Sequence, residues 1–316
     1  MAEQLTILGL WERVAPEPEV TPALPPPPLP APADARQEEL LSGAYTLRSQ
    51  LEEACVALDA AAVRAAHGSL VRQFANQTWA EQVPAWADAV AWLVEPSAAH
   101  ERATRALSLG RDQLPTAPRA LFDSVRTAAL QRAAAGLVAE QGAAAELSDG
   151  RPAGYLALVG GDFALASTLL AAASESVGNA NAQWLGYLGE AAWGQGDWFG
   201  ALQAWCRASL VDPSRIDQDH LACQPVLELL DVSEELELSD EPLSYLAVLA
   251  DLLGKHALDD FTPQGPESAP RRLAALLRAF RRDRSAGALD EHGRIAAKRE
   301  LARHAPPGLR ELLRRL

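Results

Sequence analysis

Aromatic residues make up only 6% of this 316-residue chain, although hydrophobic residues make up 48%. The apolar content is therefore mostly Ala and Leu, which are strong helix formers. β-Branched runs are nearly absent, and no stretch alternates apolar and polar residues long enough to read as a strand. Together these absences predict an all-α fold. Cysteine is also scarce: Cys55, Cys206 and Cys223 are an odd set without Cys-x-x-Cys spacing. That argues against a disulfide framework and fits a reducing, cytoplasmic setting. No run of 18 or more apolar residues exists, so no membrane span is expected. The start, Met1-Ala2-Glu3-Gln4, has no positively charged region, and Leu5 to Trp11 is too short for a signal core. Lysine occurs only at Lys255 and Lys298, the other basic residues being Arg. With the alanine excess, this suggests a GC-rich, bacterial genome.

Recognisable catalytic patterns are missing as well. The histidines, His67, His100, His220, His256, His292 and His304, are scattered. There is no His-Glu-x-x-His, no phosphate-binding glycine loop and no Gly-x-Ser-x-Gly. Asp217, Asp219, His220 and Cys223 are close in sequence, but they supply at most half a zinc shell with no second pair nearby. No cofactor, metal or catalytic residue is expected, and the chain reads as non-catalytic. An enzyme with an unrecognised site is the alternative.

What is present is charge, unevenly distributed. The formal net charge is −14. Residues 271–316 carry 13 basic and 5 acidic side chains, which leaves 15 basic and 37 acidic side chains in residues 1–270. Solvated helix faces explain both halves, and attraction between them is the alternative.

Four regions follow along the chain. Residues 1–34 combine an apolar peptide (Leu5, Ile7, Leu8, Leu10 and Trp11) with Pro16 to Pro32, where nine of 17 positions are proline. Such a stretch cannot be helix and should form a disordered, extended spacer of about 50 Å at ~3.1 Å per residue. The peptide reads either as a tethered recognition motif, offered to a partner or to its own chain, or as a disordered end with a few apolar residues. Residues 35–149 read as helical hairpins, with one apolar stripe through Leu40, Leu47, Leu51 and Leu58 and another through Trp79, Val83, Trp86 and Val90. Residues 150–260 contain a repeat followed by helices expected at Asp217–Leu230 and Leu243–Leu258. Residues 261–316 form an Arg-rich helical tail. Its stripe of Leu273, Leu276, Leu277 and Phe280 suits a terminal cap on a helical array, with Arg left in water. The tail lacks basic–aromatic interleaving, so nucleic acid is a poor partner for it.

The repeat lies between Gly154 and Pro213. Gly154 and Gly189 are 35 residues apart, as are Gly161 and Gly196. Gly161-Asp162-Phe163 corresponds to Gly196-Asp197-Trp198. A period in the mid-thirties with a helix–turn–helix pattern marks a solenoid. Glycine in the turn lets the chain reverse, and small residues let two helices approach closely.

This pattern resembles the tetratricopeptide (TPR) repeat family. Leu188-Gly189, Ala201, Trp205, Ala208 and Pro213 match its positions over residues 180–213. Gly154, Ala166, Leu170 and Ala173 match more loosely over 150–178. Leu185 and Ala192 depart from the usual Trp and Tyr, and Gly178 replaces the closing proline. The resemblance implies a right-handed superhelix of antiparallel hairpins, flanked by degenerate units. It also implies a concave groove for a partner peptide or helix, faced by Gln183, Gly186, Glu190, Trp193 and Gly194. Trp198 and Trp205 are expected to pack between repeats. The function implied is a protein–protein interaction adaptor or scaffold. A regulatory or assembly factor working through residues 1–34 and the Arg-rich tail is the alternative. The sequence sets neither the partner's identity nor the oligomeric state.

Overall fold

The computed structural model describes residues 35–73, 83–95, 98–178, 180–238, 241, 243–258, 261–262 and 267–315. The apolar peptide Leu5–Trp11, the proline stretch and Trp79 lie outside these residues. The chain divides into two units, residues 1–43 and 44–316. The first is described only over the opening turns of α1.

The described residues form fourteen α-helices and no strand. These are α1 (Ala35–Val56), α2 (Ala60–Gln73), α3 (Val83–Val94), α4 (Ala99–Ser108), α5 (Arg119–Gln141), α6 (Gly154–Val159) and α7 (Phe163–Ser176). They continue as α8 (Ala182–Gly194), α9 (Trp198–Val211), α10 (Gln224–Glu235), α11 (Leu246–Leu252), α12 (Ala269–Ser285), α13 (Glu291–His304) and α14 (Pro307–Arg314). From α2 onward each helix packs mainly on its neighbours in sequence, with α6 also touching α8 and α9 touching α11. No helix among the described residues is long and apolar enough to cross a membrane.

Two segments differ from the sequence expectation, and a local turn sets the end of a third. Helix α5 stops at Gln141 because Gly142 takes φ +85°; the chain then folds back, with Leu147 N–H donating to the Arg151 carbonyl at 2.7 Å. No helix begins at Asp217. Residues 216–223 run as a loop, and α10 starts only at Gln224, with Pro225 in the first turn, where proline costs no hydrogen bond. Helix α11 is shorter than Leu243–Leu258, ending ahead of Gly254 at φ +69°.

Two apolar clusters fill the second unit. The first runs from Leu51 on α1 to Leu170 on α7 and closes on Tyr187 and Ala191 of α8. The second begins with Ala182, Leu185 and Ala192 of α8 and ends at Leu309 and Leu313 of α14. Helix α8 is therefore the wall both cores share. Of the α12 stripe, Leu273, Leu277 and Phe280 are buried in the second cluster, and Leu276 is half-buried against it.

Candidate protein-recognition site

The hairpins α6–α7 and α8–α9 repeat one design in atomic detail. Gly161 and Gly196 take φ +76° and +80°. Their N–H groups donate to Leu158 at 3.0 Å and Trp193 at 2.9 Å, and the next N–H groups, of Asp162 and Asp197, donate to Ala157 and Ala192, both at 3.0 Å. Asp162 and Asp197 then cap α7 and α9, accepting from Leu165 N–H at 3.0 Å and Gly200 N–H at 2.9 Å. Inside each hairpin a glycine receives a large side chain 35 residues from its counterpart. A Cβ on Gly154 would come 2.7 Å from Leu170 Cγ, and one on Gly189 would overlap the Trp205 indole. Trp205 is fully buried as a result.

The aromatic after the turn behaves differently in the two units. Phe163 lies over Gly194 of the following hairpin, where a Cβ would overlap its ring. Its counterpart Trp198 was expected to pack between repeats, and the structure corrects this: Trp198 is 55% exposed. Among the described residues no third glycine-bearing hairpin follows to receive it. Trp198 stands edge-on to Phe199, itself 52% exposed, with ring centroids 6.1 Å apart.

The residues expected to meet a partner all lie on α8, beside the face that α6 adds. The inner face of α6 and α8 is covered by the chain's own segment 216–223. Glu190 is only 5% exposed. Its carboxylate accepts from Trp205 Nε1 at 3.0 Å, Ala222 N–H at 2.9 Å and Cys223 N–H at 3.3 Å. Glu190 thus does not present an open carboxylate; it holds a peptide backbone belonging to the same chain. Gln183 is half-buried and donates from Nε2 to Tyr187 Oη at 3.1 Å. Trp193 is half-buried, packed against the second cluster. Gly186 faces Ile216, whose Cγ2 would be 3.4 Å from an added Cβ.

Around this face is a cluster that sequence reasoning missed. Tyr187 donates to Asp217 Oδ2 at 2.7 Å, and Tyr155 Oη is 2.8 Å from His220 Nε2. The two phenol rings are tilted together with centroids 4.9 Å apart. Arg151 lies 4.2 Å above the Tyr155 ring and is held there by Asp149. A usable signal existed: Tyr155 and Glu190 are also 35 residues apart, so the repeat places both on the same inner face.

Electrostatics keep this cluster in its donor and acceptor roles. Burial pushes the Tyr155 and Tyr187 phenols above their ordinary values, and the hydrogen bond to Asp217 adds to the effect on Tyr187, so both stay protonated. Burial raises the Glu190 carboxyl too, opposed by the Ala222 and Cys223 N–H groups and Trp205. Cys223 is pushed up to about 11, first by burial and then by the Glu190 charge, which leaves it a thiol. The Asp217, His220 and Cys223 side chains point to different duties. Among the described residues no group of three or more His, Cys, Asp or Glu could hold a metal ion.

A cleft of about 700 Å³ opens beside this face, where the start of α8, the end of α9 and the start of α12 meet. Arg271 crosses it to donate to the Leu210 and Val211 carbonyls, tying α12 to the end of α9. Comparison of the chain with family models, with curated proteins and with solved structures finds no match.

Proposed function

We propose that this protein is a non-catalytic protein–protein interaction adaptor or scaffold, built as a TPR-like superhelix and working in the cytoplasm of a bacterium. The reading rests on the way the inner face of α6 and α8 grips an irregular peptide segment. It supplies a carboxylate for two successive backbone N–H groups (Glu190), a phenol for an acidic side chain (Tyr187) and a second phenol for a histidine (Tyr155). These are the contacts by which a groove reads a partner's backbone and side chains. Here residues 216–223 are the occupant. A partner peptide enters by taking over their place, with Gln183 and Trp193 at the rim as first contacts. Trp198 and Phe199 extend the apolar surface at the open end of the second hairpin.

Affinity capture followed by quantitative mass spectrometry tests this. Tyr155→Phe combined with Tyr187→Phe loosens the covering segment and should raise recovery of a specific partner. Trp193→Ala should lower recovery of the same partner while leaving the fold intact. A partner set unchanged by all three substitutions would overturn the groove reading.

A further inference from the structure

The basic tail offers a second surface, independent of the inner face of α6 and α8. Helices α12 and α14 bury their apolar stripes in the second core, but α13 contributes only Leu301 to the buried set. Ala297 is half-buried against that core, while Arg294, Ile295 and Arg299 are exposed. A cleft of about 320 Å³ separates α13 from α14, and one of about 280 Å³ separates it from α12. Ile295 and Lys298 line both clefts. Ile295 is 44% exposed.

The charge around Ile295 is mostly positive. Arg299, Arg310 and Arg314 line the first cleft, Arg284 and Arg294 the second, and Glu291 is the carboxylate among the lining residues. Glu300 pairs with Arg303 at 2.6 Å, and Glu311 pairs with Arg314 of the first cleft at 2.8 Å. Arg294, Lys298 and Arg299 form no ion pair with a described residue. Arg294 and Lys298 are four apart on α13, and Arg310 and Arg314 four apart on α14. Like charges at that spacing repel along a helix. The fold therefore holds together Arg294, Lys298 and Arg299 as cations that gain from an external anion.

We propose that this α13 face docks an acidic protein segment. Its carboxylates pair with Arg294, Lys298, Arg299 and Arg310, and one aliphatic side chain seats against Ile295 between the two clefts. Charge complementarity carries this choice. A bilayer would demand a broad apolar face, and here a single isoleucine stands among cations. Single-stranded nucleic acid is held by stacking on aromatic side chains, and α13 and α14 carry no Phe, Tyr or Trp.

Fluorescence anisotropy on the full chain tests the proposal. The probe is a labelled synthetic peptide of repeating Glu-Leu-Glu-Glu. The comparison ligands are labelled polyglutamate, a DNA oligonucleotide and phosphatidylserine-containing vesicles. The leucine-bearing peptide should bind tightest, and weaken as salt rises. Arg294→Glu with Lys298→Glu should weaken it by at least about tenfold, and Ile295→Ser by several-fold, on the order expected for losing a desolvated charge contact and an apolar anchor. Unchanged helicity and melting temperature exclude misfolding of these exposed positions as the cause. Equal binding of polyglutamate, insensitivity to the variants, or a preference for DNA or vesicles would each overturn the proposal.

Discussion

Glu190 is the residue on which local order most depends. Its carboxylate satisfies an indole N–H and two backbone N–H groups inside the protein. Glu190→Ala leaves those three donors without their acceptor and should cost about 2–4 kcal/mol, at roughly 1 kcal/mol or more per buried bond. Chemical denaturation reads this directly, and a loss below about 1 kcal/mol would show that the segment relaxes freely to water. Protonation is linked to the same contact. Because burial raises the Glu190 carboxyl above its usual 4.5, the folded chain binds that proton more tightly than the unfolded chain does. This group's contribution to stability is therefore full below 4.5 and declines as pH rises from 4.5 through the raised value. Subtracting the Glu190→Gln profile from the wild-type profile should isolate that decline; a wild-type stability that rises relative to the variant across this range would contradict the sign.

At the level of the element, the two hairpins allow paired comparisons. Gly189→Ala forces a Cβ into the buried Trp205 ring and should destabilise by about 2–3 kcal/mol. Gly186→Ala, three residues earlier on the same helix, meets Ile216 at an ordinary 3.4 Å. It should be neutral or gain up to ~1 kcal/mol of helix propensity. Equal thermal shifts for the two would mean that close approach of α8 and α9 is not what selects glycine at 189. The caps differ in a similar way. Asp197→Ala should cost about 1 kcal/mol, and Asp162→Ala more, since Asp162 also accepts from Gln131 Nε2 of α5 at 2.6 Å. Double-mutant comparison with Gln131→Ala should remove the excess. The glycine turn was legible because it depends on residues within one period, whereas Trp205, expected between repeats, packs on Gly189 inside its own hairpin. The segment 216–223 was not legible. Its apolar spacing reads as helix until Glu190, some thirty residues earlier, is seen to hold two of its backbone N–H groups. The exposure of Trp198 was hidden for the same reason, because a position in a repeat shows what a residue fits but not whether a neighbour follows to receive it.

Over the whole second unit, stability depends on closure of the second core by the tail. Leu273, Leu277, Phe280, Leu301, Leu309 and Leu313 are buried against the helices before them. Removing residues 269–315 strips that cover and should give a chain that binds the dye ANS and unfolds without a sharp transition. A truncated chain with a sharp melt and no dye binding would show that the tail is dispensable to the core. The all-helical character of the molecule was plain in its Ala and Leu content, and the burial of the α12 stripe was plain in its spacing. The division into two cores was not, since it falls along α8, inside the repeat. That placement matters while the chain is being made. Residues leave the ribosome in order, at ~5–20 per second. One face of α8 finds its core already waiting, whereas the other face, with Ala182, Leu185 and Ala192, has its partners spread as far as Leu313. For several seconds of synthesis the nascent chain therefore presents a half-covered apolar helix, and that interval is when a chaperone, or a premature partner, has its best opportunity to bind.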